Sequence, residues 1–154
     1  MRINTLGKFG TMADFRRVFV DTAPIIYFLE KKQPLFIENI KSTDFFEEAA
    51  FSKIQLVTSA VTIEEYLVYP YKRNRSDLIL NFEEFILEMK FEIIDINRET
   101  AKKAADIRGK YAAFKALDSF QLSAAMISSC DLFLTNDMQL KQFDKISVRL
   151  LEEV

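Results

Sequence analysis

Short apolar runs that stop abruptly alternate along this chain with longer stretches whose apolar residues recur every three or four positions. Val18, Phe19 and Val20 form one such run, ending at Asp21; apolar at every position, it predicts a strand buried on both faces, as in a parallel sheet. A helix is expected from Pro24, because proline suits the first helical position, with Thr22 or Ala23 at the cap. Helical spacing resumes from Leu35 to Ala50 through Phe36, Ile40, Phe45 and Phe46. Ile54 to Ser59 predicts a second strand, followed by a helix opening at Thr62. Asn74 to Met89 is amphipathic, with Leu78, Phe82, Phe85, Ile86 and Met89 on one face. Phe91 to Ile96 predicts a third strand, and Asn97 is a good cap for a helix through Ile107. A helix opening at Asp118, a strand over Leu132 to Thr135 and a fifth strand over Ile146 to Leu151 complete the pattern. Strands alternating with helices imply an α/β fold, a three-layer sandwich around a mostly parallel central sheet.

A length of 154 residues suits one domain. Residues 1–16 read as a flexible extension, polar and holding two of the three glycines, and residues 17–154 as the folded domain. Fifteen Phe and five Tyr without Trp are too many rings for a small surface, so they are expected in the core or in a subunit contact, and a homodimer is expected from them. The single cysteine, Cys130, rules out an internal disulfide and a Cys-rich zinc site. No signal-peptide pattern or membrane-length apolar run is present, so a soluble cytoplasmic protein is expected. A formal charge of −2 argues against coating duplex nucleic acid by bulk attraction, but leaves room for a nuclease whose acids are concentrated in one pocket.

The chain has no histidine, which removes the commonest general acid/base and the commonest transition-metal ligand. Carboxylates remain, and carboxylates bind hard divalent cations such as Mg²⁺ or Mn²⁺. Four acids stand where strands end or helices begin: Asp21, Glu65, Asp118 and Asp137. Each also has an ordinary structural reading. Asp21 could cap the helix that follows it; Glu65, three residues after Thr62, fits a capping box; Asp118 could cap its helix; and Asn136-Asp137 suits a turn. Their joint placement at one edge of a parallel sheet, where such folds bind ligands, is the stronger signal.

The stretches VFVDTAPIIYFLE, VTSAVTIEEYL, KALDSFQLSAAM and LFLTNDMQL resemble, in order and spacing, the motifs of the PIN domain, in particular the small VapC-like ribonuclease toxins. The resemblance implies that Asp21, Glu65, Asp118 and Asp137 bind Mg²⁺ or Mn²⁺ and carry catalysis, and that Thr22, Ser59 and Thr135 orient ligands or water. It places the helix acid at Glu65, with Glu64 turned about 100° away, and matches Arg108 and Tyr111 to an Arg and a Tyr before the third acid. It implies hydrolysis of RNA phosphodiester bonds, leaving a 3′-hydroxyl and a 5′-phosphate, and, for the toxins, an antitoxin partner. Ala23 stands where many members carry Asn, the AFKAL segment lacks the usual Gly or Pro, and the extension lies outside the pattern; none of these removes an acid.

Metal-assisted phosphodiester hydrolysis needs no histidine, in agreement with the resemblance. An aspartyl phosphatase wants a second Asp where Ala23 stands. A receiver domain needs an acid pair at the first strand and an acceptor Asp at the end of the third, where Asp95 reads as lying inside the strand. A PIN-like scaffold that binds RNA or protein without cutting is the remaining alternative. Lys72, Arg73 and Arg75 form one basic turn, read as solvated or as a phosphate contact, and Tyr66, Tyr69 and Tyr71 as packing or base-stacking rings.

Overall fold

The computed structural model describes residues 12–30 and 36–154, without the side chains of Ala13 and Phe36. Five parallel strands, β1 (Arg17–Val20), β2 (Gln55–Ser59), β3 (Glu92–Ile94), β4 (Leu132–Thr135) and β5 (Ser147–Leu150), lie in the order β3-β2-β1-β4-β5. Six helices flank them: α1 (Thr22–Glu30), α2 (Phe36–Ala50), α3 (Ala60–Lys72), α4 (Ser76–Glu88), α5 (Arg98–Lys110) and α6 (Ala116–Ile127). Every pairing in the sheet is parallel.

The unbroken apolar runs have the expected cause, since both faces of the sheet are covered. Val18, Val20, Leu132 and Leu134 point into a core with residues of α1, α2, α3 and α4. Phe19 and Phe133 point the other way, against α5 and α6, and stack with ring centroids 5.1 Å apart. The pairing of Val18 with Leu132 and Phe19 with Phe133 keeps like faces together; a slip of one residue would exchange the two cores.

The extension expected over residues 1–16 lies outside the described residues as far as residue 11. From there the chain makes a 3₁₀ turn at Met12–Asp14, Met12 is buried at 5% exposure, and Phe15 lies under the Arg149 guanidinium. Asp95, read as inside the third strand, falls one residue past it, exposed at the edge of the sheet.

Candidate functional site

In this strand order, β1 has β2 on one side and β4 on the other, so successive connections part at its carboxyl end and leave a crevice there. Asp21 is the first residue past β1. Its N–H donates to the Leu134 carbonyl (2.9 Å), which extends the β1–β4 pairing and fixes its backbone. The carboxylate is held at both oxygens. Oδ1 accepts from the Thr22 N–H (2.8 Å) at the start of α1, and Oδ2 accepts from the Thr135 hydroxyl (2.8 Å) at the end of β4. Helix α1 begins at Thr22, not Pro24, and its first N–H donates to the Asp21 carboxylate just before it.

Glu65 stands in the second turn of α3 and accepts from the Thr22 hydroxyl (2.8 Å). The capping box read for Thr62 and Glu65 does not form. Ser59 caps α3, its hydroxyl oxygen accepting from the Val61 N–H (3.1 Å), so Thr62 lies inside the helix and Glu65 is released toward the crevice. Asp118 is the third residue of α6, which opens two residues earlier than expected, and it accepts from the Lys115 backbone. Asp137 caps the short 3₁₀ turn Met138–Gln142 through the Gln139 N–H (2.9 Å), while its own N–H donates to the Thr135 hydroxyl oxygen (3.1 Å).

The acids repel one another in a connected series. Burial pushes Asp21 up to about 6, with Glu65 and Asp118 adding to the shift and the Thr135 and Thr22 bonds opposing it. Glu65 is exposed as a residue, yet loss of water around its carboxylate raises its pKa first, and the Asp118 and Glu64 charges raise it further against the Thr22 bond. Asp118 is raised by burial and then by Asp137, against the backbone bond and the charge at Lys115. Among the described residues, no three His, Cys, Asp or Glu side chains are set to grip one ion together. The donors are all hard oxygens, however, and Mg²⁺ keeps several waters and takes one or two carboxylates from protein, so this donor set fits it. Asp21 accepts three hydrogen bonds, which leaves about one of its roughly four lone-pair sites for a ligand.

Of the hydroxyls singled out in the sequence, Thr22 and Thr135 touch the acids directly. Ser59 does not; it donates to the Gln121 Oε1 (2.5 Å). Gln121 was overlooked by sequence reasoning, although a signal existed: an amide three residues after Asp118, in a helix otherwise apolar enough to be buried, must find partners inside the fold. Its Nε2 donates to Thr62 (2.7 Å) and lies 3.3 Å from Asp21 Oδ1.

The other candidates lie elsewhere. The Tyr111 hydroxyl donates to Asp144, and its ring stacks on Phe114 at 5.0 Å. Arg108 is exposed in the last turn of α5. Tyr66 is core, stacked on Phe82 at 4.5 Å. Lys72 ends α3 and Arg73 and Arg75 follow it, away from its acid-bearing first turns, and Arg75 is paired with Asp77 (2.7 Å).

An all-parallel sheet whose strand order reverses at β1, with helices on both faces, defines an α/β domain of the open, doubly wound class. The chain belongs to the PIN-domain family, whose profile matches residues 18–146. Comparison with curated proteins gives no match. Among solved structures, it is similar to a chain of VapBC2 from Rickettsia felis bound to a promoter DNA fragment, at 15% identity and a TM-score of 0.71, covering 87% of this chain and 98% of that one. It is also similar to a chain of FitAcB from Neisseria gonorrhoeae (20% identity, TM-score 0.69, 89% and 99% covered). A third is in a toxin-antitoxin complex from Klebsiella pneumoniae (20% identity, TM-score 0.60, 89% and 99% covered). At these identities the likeness is one of fold.

Proposed function

We propose that this protein is a Mg²⁺- or Mn²⁺-dependent endoribonuclease, with Asp21, Glu65, Asp118 and Asp137 as its metal-holding and catalytic acids. The observation that carries the reading is Asp21 itself, a buried carboxylate at the switch point, fixed at both oxygens and pushed up to about 6 beside two further acids. Such crowding costs stability, and a divalent cation removes the cost. PIN-domain proteins are usually nucleases that use divalent metals, which supports the same reading.

When bound, the ion supplies neutralisation of the phosphate charge and a more acidic water. Thr135 and the Thr22 N–H keep the Asp21 carboxylate from turning away, and the Thr22 hydroxyl orients Glu65. Glu65, exposed at the mouth of the crevice, stands where a flexible RNA strand can approach. The products expected are a 3′-hydroxyl and a 5′-phosphate.

Similarity to a chain in a toxin-antitoxin complex supports a toxin role with an antitoxin protein as partner. An apolar groove of 420 Å³ between α3 and α4, lined by Ile63, Leu67, Phe82, Ile86 and Phe91 among others, is a surface on which a protein partner could seat.

The test is a set of neutral isosteres assayed on single-stranded and loop RNA with Mn²⁺. Asp21→Asn, Glu65→Gln, Asp118→Asn and Asp137→Asn should each abolish cleavage, while Glu64→Gln retains most of it. Full activity in any of the first four removes that residue from the site, and full activity in all four leaves the non-catalytic binding module as the better description.

A further inference from the structure

We infer that Gln121 is a positioning residue of the candidate metal centre, its buried amide fixing the direction in which Asp21 presents its carboxylate. This rests on the metal reading above. Gln121 is 1% exposed, and its amide joins α6 to α1, β2 and α3 at once.

The orientation of the amide follows from its partners. Nε2 faces Asp21 Oδ1 (3.3 Å), Thr22 (3.4 Å) and Thr62 (2.7 Å), and Oε1 faces Ser59 (2.5 Å). A flipped amide would set its oxygen against the Asp21 carboxylate, acceptor against acceptor. The hydroxyls agree with this assignment, since each carries one proton. Thr22 directs its proton to Glu65 (2.8 Å), so toward Gln121 it offers an acceptor. Thr58 directs its proton to the Val20 carbonyl (2.8 Å), so Thr62 donates across its 2.8 Å contact with Thr58 and accepts from Gln121. Ser59 accepts from the Val61 N–H, which leaves its proton for Oε1. In this arrangement no buried side-chain polar atom among the described residues lacks a partner.

Asp21 is thereby braced from three elements: α1 through the Thr22 N–H, β4 through Thr135 and α6 through Gln121. The last of these also ties the helix that carries Asp118 to the carboxylate that Asp118 repels. Partners of this kind, which hold a ligand without touching the metal, set metal affinity.

Mn²⁺ affinity of the purified full chain, read from the free-ion paramagnetic resonance signal, tests the assignment alongside a thermal melt in chelator. Gln121→Met removes the donor at nearly constant volume, and Gln121→Asn keeps the amide but withdraws it by one methylene. Ser123→Ala is the control; it deletes a buried hydrogen bond of the same helix, to the Thr100 carbonyl (2.7 Å), remote from the acids. Both Gln121 variants should bind Mn²⁺ about tenfold or more weakly, whereas Ser123→Ala melts lower with unchanged affinity. If Gln121→Met does not fold, Gln121→Asn decides. Wild-type affinity in Gln121→Asn overturns the positioning role alone, and absence of Mn²⁺ binding by the wild type overturns the metal reading and this role together.

Discussion

At Asp21, burial and two neighbouring carboxylates oppose ionisation, and the Thr135 and Thr22 bonds offset them only in part. The folded pKa of about 6 lies above the ordinary 3.8, so over that window the unfolded chain has released the proton that the folded chain still holds. Stability from this group is therefore present below pH 3.8 and is lost as the pH climbs to about 6. The difference between 3.8 and about 6 corresponds to about 3 kcal/mol at full extent. Melts in chelator from pH 4 to 7 should show wild type losing stability relative to Asp21→Asn as the pH rises; parallel curves would remove the electrostatic strain. Asp118→Asn should melt higher than wild type in chelator and gain less from Mn²⁺. A lower melt with an undiminished gain would make Asp118 a helix-terminal residue only. Asp21 and Asp137 were legible as candidates because each follows an apolar strand run, whereas Glu65 and Asp118, inside α3 and α6, were singled out from expected helix starts and from the family motifs. Gln121 was not, because an amide inside a helix carries no such punctuation, and only the fold shows which elements surround it.

Helix ends set the limit at the next scale. Strands read as continuous apolar runs were found within one or two residues of the expected ends, as at β1, β2 and β4. Helix starts were displaced at α3, where Ser59 takes the cap from Thr62, and at α1, which opens at Thr22 with its first N–H bonded to Asp21. Asn97 had no rival, and there the expected cap forms with a reciprocal bond to Thr100 (2.7 Å). Two helices close on residues in the left-handed region that are not glycine or asparagine: Lys90 (φ 54°) after α4 and Ser129 (φ 59°) after α6. Three glycines in the whole chain explain the scarcity of better closers. Ser129 is exposed, so Ser129→Gly removes the Cβ conflict without disturbing the core and should stabilise by about 0.5–1 kcal/mol. At this chain length that is about 1–4 °C in Tm, and an unchanged or lower melt would show that the turn carries no such conflict.

For the molecule as a whole, the aromatic excess is accounted for by the core, the first of the two places expected for it. Phe45, Phe46, Phe82 and Phe85 fill one core, and Phe19, Phe114, Phe133 and Phe143 the other, so the rings close two faces of a sheet within one chain. Among the phenylalanines described, Phe51 is the one that stands out at 94% exposure. The composition therefore supplies no argument for Phe-bearing helices as a subunit contact. Homodimerisation remains a proposal, to be tested by sedimentation, and the exposed Leu80 and Leu87 of α4 are its better candidates. No helix among the described residues is long and apolar enough to cross a membrane. The two cores hold six helices on the faces of the sheet, and near its carboxyl edge the acids stand close enough for Glu65 and Asp118 to raise the pKa of Asp21, Asp118 that of Glu65, and Asp137 that of Asp118. The most direct test of that edge is one reaction: protein stripped of metal, a single-stranded RNA, and Mn²⁺ added stepwise, with the cut ends analysed chemically. We expect no cleavage before addition, cleavage that rises with Mn²⁺ and yields 5′-phosphate ends, and none with Asp118→Asn. Cleavage that persists in excess chelator, or that Asp118→Asn carries out as fast as wild type, would contradict a metal-dependent nuclease built on these four acids.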